Sequence, residues 1–158
     1  MFFLPLSCSE KGVILRTGQP APSFALSDIS GKMIRVPEDV KGRITAIRFW
    51  ASSCKFCAAE MPEIEEVYKK YADKGLVILA VNIGEDKGDV EKFAKGYNIS
   101  YPMLLDPGQI VTKRYGVIST PETFLLDRNG LIRQKILGEI NRQTFEEIVI
   151  ECLKEEKT

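Results

Sequence analysis

Trp50-Ala51-Ser52-Ser53-Cys54-Lys55-Phe56-Cys57-Ala58-Ala59-Glu60-Met61-Pro62 decides the fold. It is entered from Ile44 through a mostly apolar run rich in β-branched and aromatic residues, the pattern of a buried central strand. It leaves with Met61, Ile64, Val67, Tyr68 and Tyr71 at helical spacing and Glu63, Glu65, Glu66, Lys69 and Lys70 on the other face. Pro62 falls inside that pattern and should kink the helix or cost it a hydrogen bond. Gly75 ends it. A strand thus turns directly into a helix, with two thiols at the turn.

That position carries chemistry. Cys54 stands where the first turn of the helix leaves its N–H groups unpaired, and those donors, with the helix dipole, favour a thiolate. Such settings lower a cysteine from about 8.5 into the range of roughly 3.5–7.5. Lys55 adds a positive charge beside it. Cys57, inside the helix, should be more buried and less acidic. The division of labour that follows has Cys54 attacking a disulfide and Cys57 resolving the mixed disulfide. Zinc is the competing reading of a Cys-x-x-Cys pair, and it normally takes four ligands. The other two of the four cysteines, Cys8 and Cys152, are distant in sequence, and the chain has no histidine.

The remaining sequence supplies a scaffold. Upstream, Ala25-Leu26-Ser27-Asp28 and Met33-Ile34-Arg35-Val36 flank a turn at Ser30-Gly31-Lys32 and read as a hairpin. Downstream, Leu76 to Ile83 is a continuous apolar run of strand length. Val90, Phe93, Ala94 and Tyr97 mark a helix, Pro102 to Pro107 a short strand, and Ile110 to Tyr115 a short helix stopped by Gly116. Thr123 to Asp127 and Leu131 to Leu137, joined by Arg128-Asn129-Gly130, form a second hairpin. Asn141 caps a last helix with the stripe Phe145, Ile148, Val149, Cys152 and Leu153. Cys152 lies in that stripe and reads as a packed structural thiol. Alternating strands and helices with a closing hairpin predict an α/β fold with a mixed sheet.

Composition limits the alternatives. With 158 residues the chain is long enough for one well-cored domain. Lys plus Arg and Asp plus Glu are equal at 22 each, which gives no electrostatic case for nucleic acid. No apolar run approaches the ~20 residues that span a bilayer. The absent histidine removes Ser-His and Cys-His catalysis and most metal sites. We therefore expect no metal and no cofactor beyond a Cys54–Cys57 disulfide. Residues 1–17 read as an N-terminal tail and 18–158 as the domain. Within the tail, Met1-Phe2-Phe3-Leu4-Pro5-Leu6-Ser7-Cys8 has only part of a targeting pattern. Two readings of Cys8 stand, a lipidated lipoprotein cysteine whose upstream part is missing, or an incidental thiol.

From about Gly18 to the last helix the chain resembles the thioredoxin superfamily, and within it the TlpA/ResA/CcmG (DsbE) group, related to AhpC/TSA proteins. The entry Gly18-x-x-Ala21-Pro22-x-Phe24-x-Leu26-x-Asp28-x-x-Gly31-Lys32 is similar to that group's N-terminal signature. Phe49-Trp50-Ala51, Glu60-Met61-Pro62 and Gly116-Val117-x-x-Thr120-Pro121-Glu122-Thr123-Phe124 also match. The resemblance implies a thioredoxin-like three-layer sandwich with helices on both faces, an N-terminal hairpin and an inserted βα unit between about Asp86 and Asp106. It implies that Pro121 is cis and, with Thr120 and Trp50, offers the substrate surface. Glu60 and Glu122 would lie near the cysteines and shift thiol pKa values or move protons. The implied function is a thiol-disulfide oxidoreductase outside the cytoplasm that reduces protein disulfides such as those of apocytochrome c. A membrane-bound thiol reductant would supply electrons, and the protein would act as a monomer.

Three positions depart from the group. Ser53 stands where a tryptophan is usual, Lys55-Phe56 lacks the common proline, and Arg48 takes the place of a buried acid in thioredoxins. A buried charge must be paired, so Arg48 is expected to meet Glu60 or Glu122 beneath the disulfide and to lower the Cys57 pKa. Two rival readings remain. A peroxiredoxin shares the fold, but Ile47 and Ala51 stand where its Pro-x-x-x-Thr-x-x-Cys pattern needs proline and threonine. The other is a redox-inert or metal-carrying binding module, and a copper carrier of related fold would want a histidine, which the chain lacks.

Overall fold

The computed structural model describes residues 12–155, so Cys8 and the question of its lipidation lie outside the described residues. The strands are β1 (Phe24–Ser27), β2 (Met33–Val36), β3 (Ile44–Trp50), β4 (Leu76–Asn82), β5 (Met103–Leu105), β6 (Glu122–Leu126) and β7 (Ile132–Leu137). The helices are α1 (Lys55–Tyr71), α2 (Lys87–Gly96), α3 (Ile110–Arg114) and α4 (Arg142–Lys154).

β3 and β4 are buried at every position, as their largely apolar runs predict, although β3 carries Thr45 and Arg48 within that burial. They lie at the centre of a mixed sheet ordered β5-β4-β3-β6-β7. β3, β4 and β5 run parallel, with α1 and α2 as the crossovers, while β6 and β7 are antiparallel to their neighbours. β1 and β2 pair separately as the N-terminal hairpin. α2 and β5 are the inserted unit, and β5 forms one edge of the sheet.

Strand alternation divides the core in two. Ile44, Ala46 and Trp50 of β3 face Cys57, Met61 and Ile64 of α1, Val90 of α2, and Phe145 and Val149 of α4. Ile47 and Phe49 face Phe24 and Ile34 of the hairpin and Val111 of α3, with Tyr115 just beyond it. Tyr115, Phe49 and Phe124 pack as a cluster of aromatic rings. This is the three-layer arrangement the resemblance implies.

α1 runs unbroken through Pro62, and the proline removes one amide donor from it, the second of the two outcomes expected there. One local feature goes beyond the sequence reading: the described part of the expected tail is seated on the domain. The Val13 carbonyl crosses so close to Gly116 that a Cβ there would lie 2.1 Å from it, and Leu15 packs against the half of the core that contains Tyr115. Gly116 has φ +67°, so one glycine serves both the helix stop and this close crossing.

Candidate active site

The site sits where β3 runs into α1. Cys54 is the N-cap of α1 in an extended conformation, and the Cys57 amide donates to its Sγ at 3.2 Å. Cys54 and Cys57 form a disulfide. Cys54 is half-buried and Cys57 is buried among the residues that pack α1 on the sheet. An accessible sulfur thus lies at the helix N-terminus with a screened one behind it, as the spacing predicted. Between them Lys55 is exposed, and Phe56 turns a ring that is 57% accessible into solvent.

The Thr120–Pro121 peptide bond is cis. Phe49 pairs with Glu122 in the β3–β6 ladder, so Pro121 stands at the same sheet end as Trp50, four residues before Cys54. Pro121 is buried and Thr120 half-buried. The Pro121 carbonyl accepts from the Gly138 amide at 2.9 Å, which ties the cis loop to the segment leading into α4. A second cis bond, Val36–Pro37, follows β2 and was not foreseen in the sequence.

Trp50, expected at the substrate surface, is only 1% accessible. As the last residue of β3 it points into the α1 side of the core, with its ring centroid 4.5 Å from that of Phe93. It is packing beneath the site, and the exposed aromatic beside the disulfide is Phe56.

Arg48 is buried and paired, with Glu60 as its acid. Its Nη2 donates to Glu60 Oε2 at 2.5 Å and its Nη1 to Thr123 Oγ1 at 2.9 Å. The other carboxylate oxygen of Glu60 accepts the Ile140 amide. Burial pushes the Glu60 carboxyl above its ordinary range, and Arg48 with the Ile140 amide pulls it part of the way back.

Glu122 is elsewhere. It is equally buried but lies on the other face of the sheet from α1, with Lys135 Nζ at 3.3 Å from Oε1. The two are at ion-pair distance, though the geometry at Oε1 is poor for a hydrogen bond. Burial raises its carboxyl too, against the pull of Lys135. It borders a mostly apolar groove of about 470 Å³ with Val13, Ile14, Ile118 and Leu137. Ile118, just ahead of the cis loop, is 96% accessible.

Glu85 is a site residue that motif reading missed. Its carboxylate accepts from the Ser52 amide at 2.9 Å, from Ser52 Oγ and from Asn82 Nδ2, and so holds the loop that delivers Cys54. Burial disfavours its charge, but the donors from Asn82 and Ser52 outweigh that and hold its carboxyl below the ordinary value. The signal was an acid three residues beyond the polar Asn82 that ends an otherwise apolar strand. Cys152 is a buried free thiol, pushed up chiefly by burial, as its place in the helix stripe predicted.

A Cys-x-x-Cys disulfide at a helix N-terminus, on a mixed sheet that brings a cis-proline to the same edge, defines a thioredoxin-fold thiol-disulfide oxidoreductase. The AhpC/TSA family model matches residues 17–135, and the chain belongs to that family. It is 38% identical to the thiol-disulfide oxidoreductase ResA of Bacillus thuringiensis subsp. konkukian, over 84% of this chain and 76% of the relative. It is 37% identical to the thioredoxin-like protein YneN of Bacillus subtilis, over 88% of this chain and 82% of that one. Among solved structures, a Chlorobium tepidum protein assigned as the thiol:disulfide interchange protein DsbE superposes with a TM-score of 0.83 at 30% identity. That match covers 89% of this chain and 99% of the other.

Proposed function

We propose that this protein reduces disulfides in other proteins outside the cytoplasm, in a cytochrome c maturation-type role. The supporting observation is the unequal placement of the two sulfurs, one half-exposed at the helix N-terminus and one buried behind it. In the reduced protein the Cys54 thiolate attacks a substrate sulfur. The substrate disulfide breaks, its leaving sulfur takes a proton, and a mixed disulfide forms. The Cys57 thiol then loses its proton and attacks Cys54 Sγ. The second substrate sulfur leaves as a thiol, and the protein is left as the Cys54–Cys57 disulfide. Two electrons have passed to the substrate. A membrane-bound thiol reductant restores the dithiol by the reverse exchange.

The likeness to ResA and DsbE proteins supports the location and the substrate class. Among the described residues no helix is long and apolar enough to cross a membrane. Lipid attachment through Cys8 would hold the domain at a membrane surface, and the domain acts as a monomer. Thr120 and Pro121 present backbone to an extended substrate segment, with Phe56 and Ile118 as apolar contacts.

The test is trapping in cells. A Cys57→Ser protein should accumulate mixed disulfides through Cys54 that dithiothreitol releases, and a Cys54→Ser protein should accumulate none. Absence of trapped partners would overturn the reading. The reduction potential of the pair fixes the direction: a value near the oxidising end, around −120 mV, would make the protein a disulfide donor instead. A thiol peroxidase is the rival on the same fold, and a peroxide-consumption assay separates the two. Buried, apolar Ile47 and Ala51 offer no hydroxyl for a peroxide beside Cys54.

A further inference from the structure

Arg48 is a guanidinium in the middle of a strand whose every residue is buried. Arginine is not placed in a core by hydrophobic patterning, and its charge is lost at no accessible pH. Here it joins three parts of the site. Register puts it opposite Thr123, two residues after the cis-proline, and its Nη1 donates to that hydroxyl. Nη2 holds Glu60 on α1, and Glu60 in turn holds the Ile140 amide in the segment whose Gly138 amide binds the Pro121 carbonyl. The guanidinium carbon lies 5.8 Å from the ring centroid of Phe145 on α4.

Both oxygens of Glu60 are therefore committed to donors. Glu60 and Cys57 are three apart on α1, both on its buried side, a spacing that sets Cβ atoms about 5–6 Å apart. Among the described residues, the other titratable groups near Glu60 carry no positive charge. They are Glu139 in the segment before α4, Glu65 one turn further along α1, and Tyr101, whose hydroxyl lies 3.4 Å from the Met61 carbonyl. The cation acting on Glu60 is Arg48.

We propose that Arg48 is a positioning residue for the resolving step, keeping Glu60 an ionised, fully paired carboxylate so that Cys57 loses its proton beside a neutral ion pair. The Cys57 proton then passes to solvent base, not to Glu60, before the sulfur attacks Cys54. Without Arg48, a lone buried acid next to the thiol would compete with it for charge, and the two would titrate as a coupled pair. The inference rests on Cys57 being the resolving thiol. Its test reads that thiol directly, whatever partner Cys54 attacks.

In a Cys54→Ser background, the rate of Cys57 alkylation by iodoacetamide is followed against pH, with the modified residue located by mass spectrometry. Arg48→Met should move the midpoint up by about one pH unit, roughly tenfold less thiolate at a given pH. Glu60→Gln leaves Arg48 uncompensated and should move it down. The Arg48→Met/Glu60→Gln double variant, which removes both charges and keeps an acceptor for the Ile140 amide, should return to the parent midpoint, and Arg48→Lys should stay there. A double variant displaced from the parent would overturn the proposal, as would an unchanged midpoint in either single variant. The latter would leave Arg48 a purely structural tie. Because the single variants are expected to shift in opposite directions, either one alone decides if the other does not fold.

Discussion

Arg48 and Glu122 are one step apart in the β3–β6 ladder, where Arg48 pairs with Thr123 and Phe49 with Glu122. They consequently point to opposite faces of the sheet. The two buried glutamates beside the disulfide end of the sheet thus have different surroundings. Glu60 is locked under α1 by a guanidinium and a backbone amide. Glu122 faces the groove beside Ile118 with a lysine at ion-pair distance and an oxygen lacking a hydrogen bond. The looser of the two is the better candidate for taking up and releasing a proton.

Glu122 should also cost stability when it is charged. Its folded pKa is raised by burial, so the native state binds this proton more tightly than the unfolded chain. The sign follows: its penalty is absent below the unfolded value of 4.5 and grows as pH rises through the folded pKa. Glu122→Gln mimics the neutral acid. It should melt higher than the parent at pH 8 and together with it near pH 4, each kcal/mol being worth about 2–4 °C in a domain of this size. Thermal unfolding at the two pH values checks this. A variant that melts lower at pH 8 would mean that the Lys135 ion pair outweighs the burial.

Glu85 should behave in the opposite way. Its pKa is held down, so its contribution is present above 4.5 and is lost as pH falls through the folded value. Glu85→Ala strands the Ser52 amide, the Ser52 hydroxyl and the Asn82 amide nitrogen. We expect a loss of about 1–3 kcal/mol at pH 7, narrowing in acid, with faster hydrogen exchange at Ser52 and Ser53. Glu85→Gln, which keeps an acceptor, should lose less. Equal losses for the two variants would show that the carboxylate charge is immaterial there.

Most of the architecture was legible in the sequence because hydrophobic period and turn residues carry it. The mostly apolar β3 and β4, the stripe of α1 and the Asp127–Gly130 turn each state their own structure locally. The cysteine pair was legible for the same reason, since spacing and the strand-to-helix setting are both local. Side-chain orientation at strand ends was not. Trp50 looked like part of a substrate surface because it precedes the cysteines, but parity along β3 sends it to the core with Ala46 and Ile44. Glu60 and Glu122 looked equivalent because each adjoins a site motif, and only the register of β3 on β6 separates them. Glu85 and the seating of Val13 on Gly116 depend on contacts between distant segments, which leave almost no trace in composition.

That seating makes Gly116 the most sensitive backbone position near the cis loop. Its φ of +67° disfavours any side chain, and an added Cβ would meet the Val13 carbonyl at 2.1 Å, a contact no rotamer can relieve because the backbone fixes the Cβ and the atom it meets is backbone. Gly116→Ala must either lift residues 12–15 off the domain or shift the segment running from Gly116 to Pro121. The left-handed conformation alone costs about 1 kcal/mol, and the displaced contact adds to it. We expect a lower melting temperature together with proteolytic cleavage near Val13 in the folded protein. Val13→Gly trims the side chain but keeps the carbonyl, so combining it with Gly116→Ala should give no rescue. A chain shortened to begin at Gly18 should remove the clash, leaving Gly116→Ala to cost only its backbone strain. If Gly116→Ala is as damaging in the shortened chain as in the full one, the crossing of Val13 is not what the glycine serves.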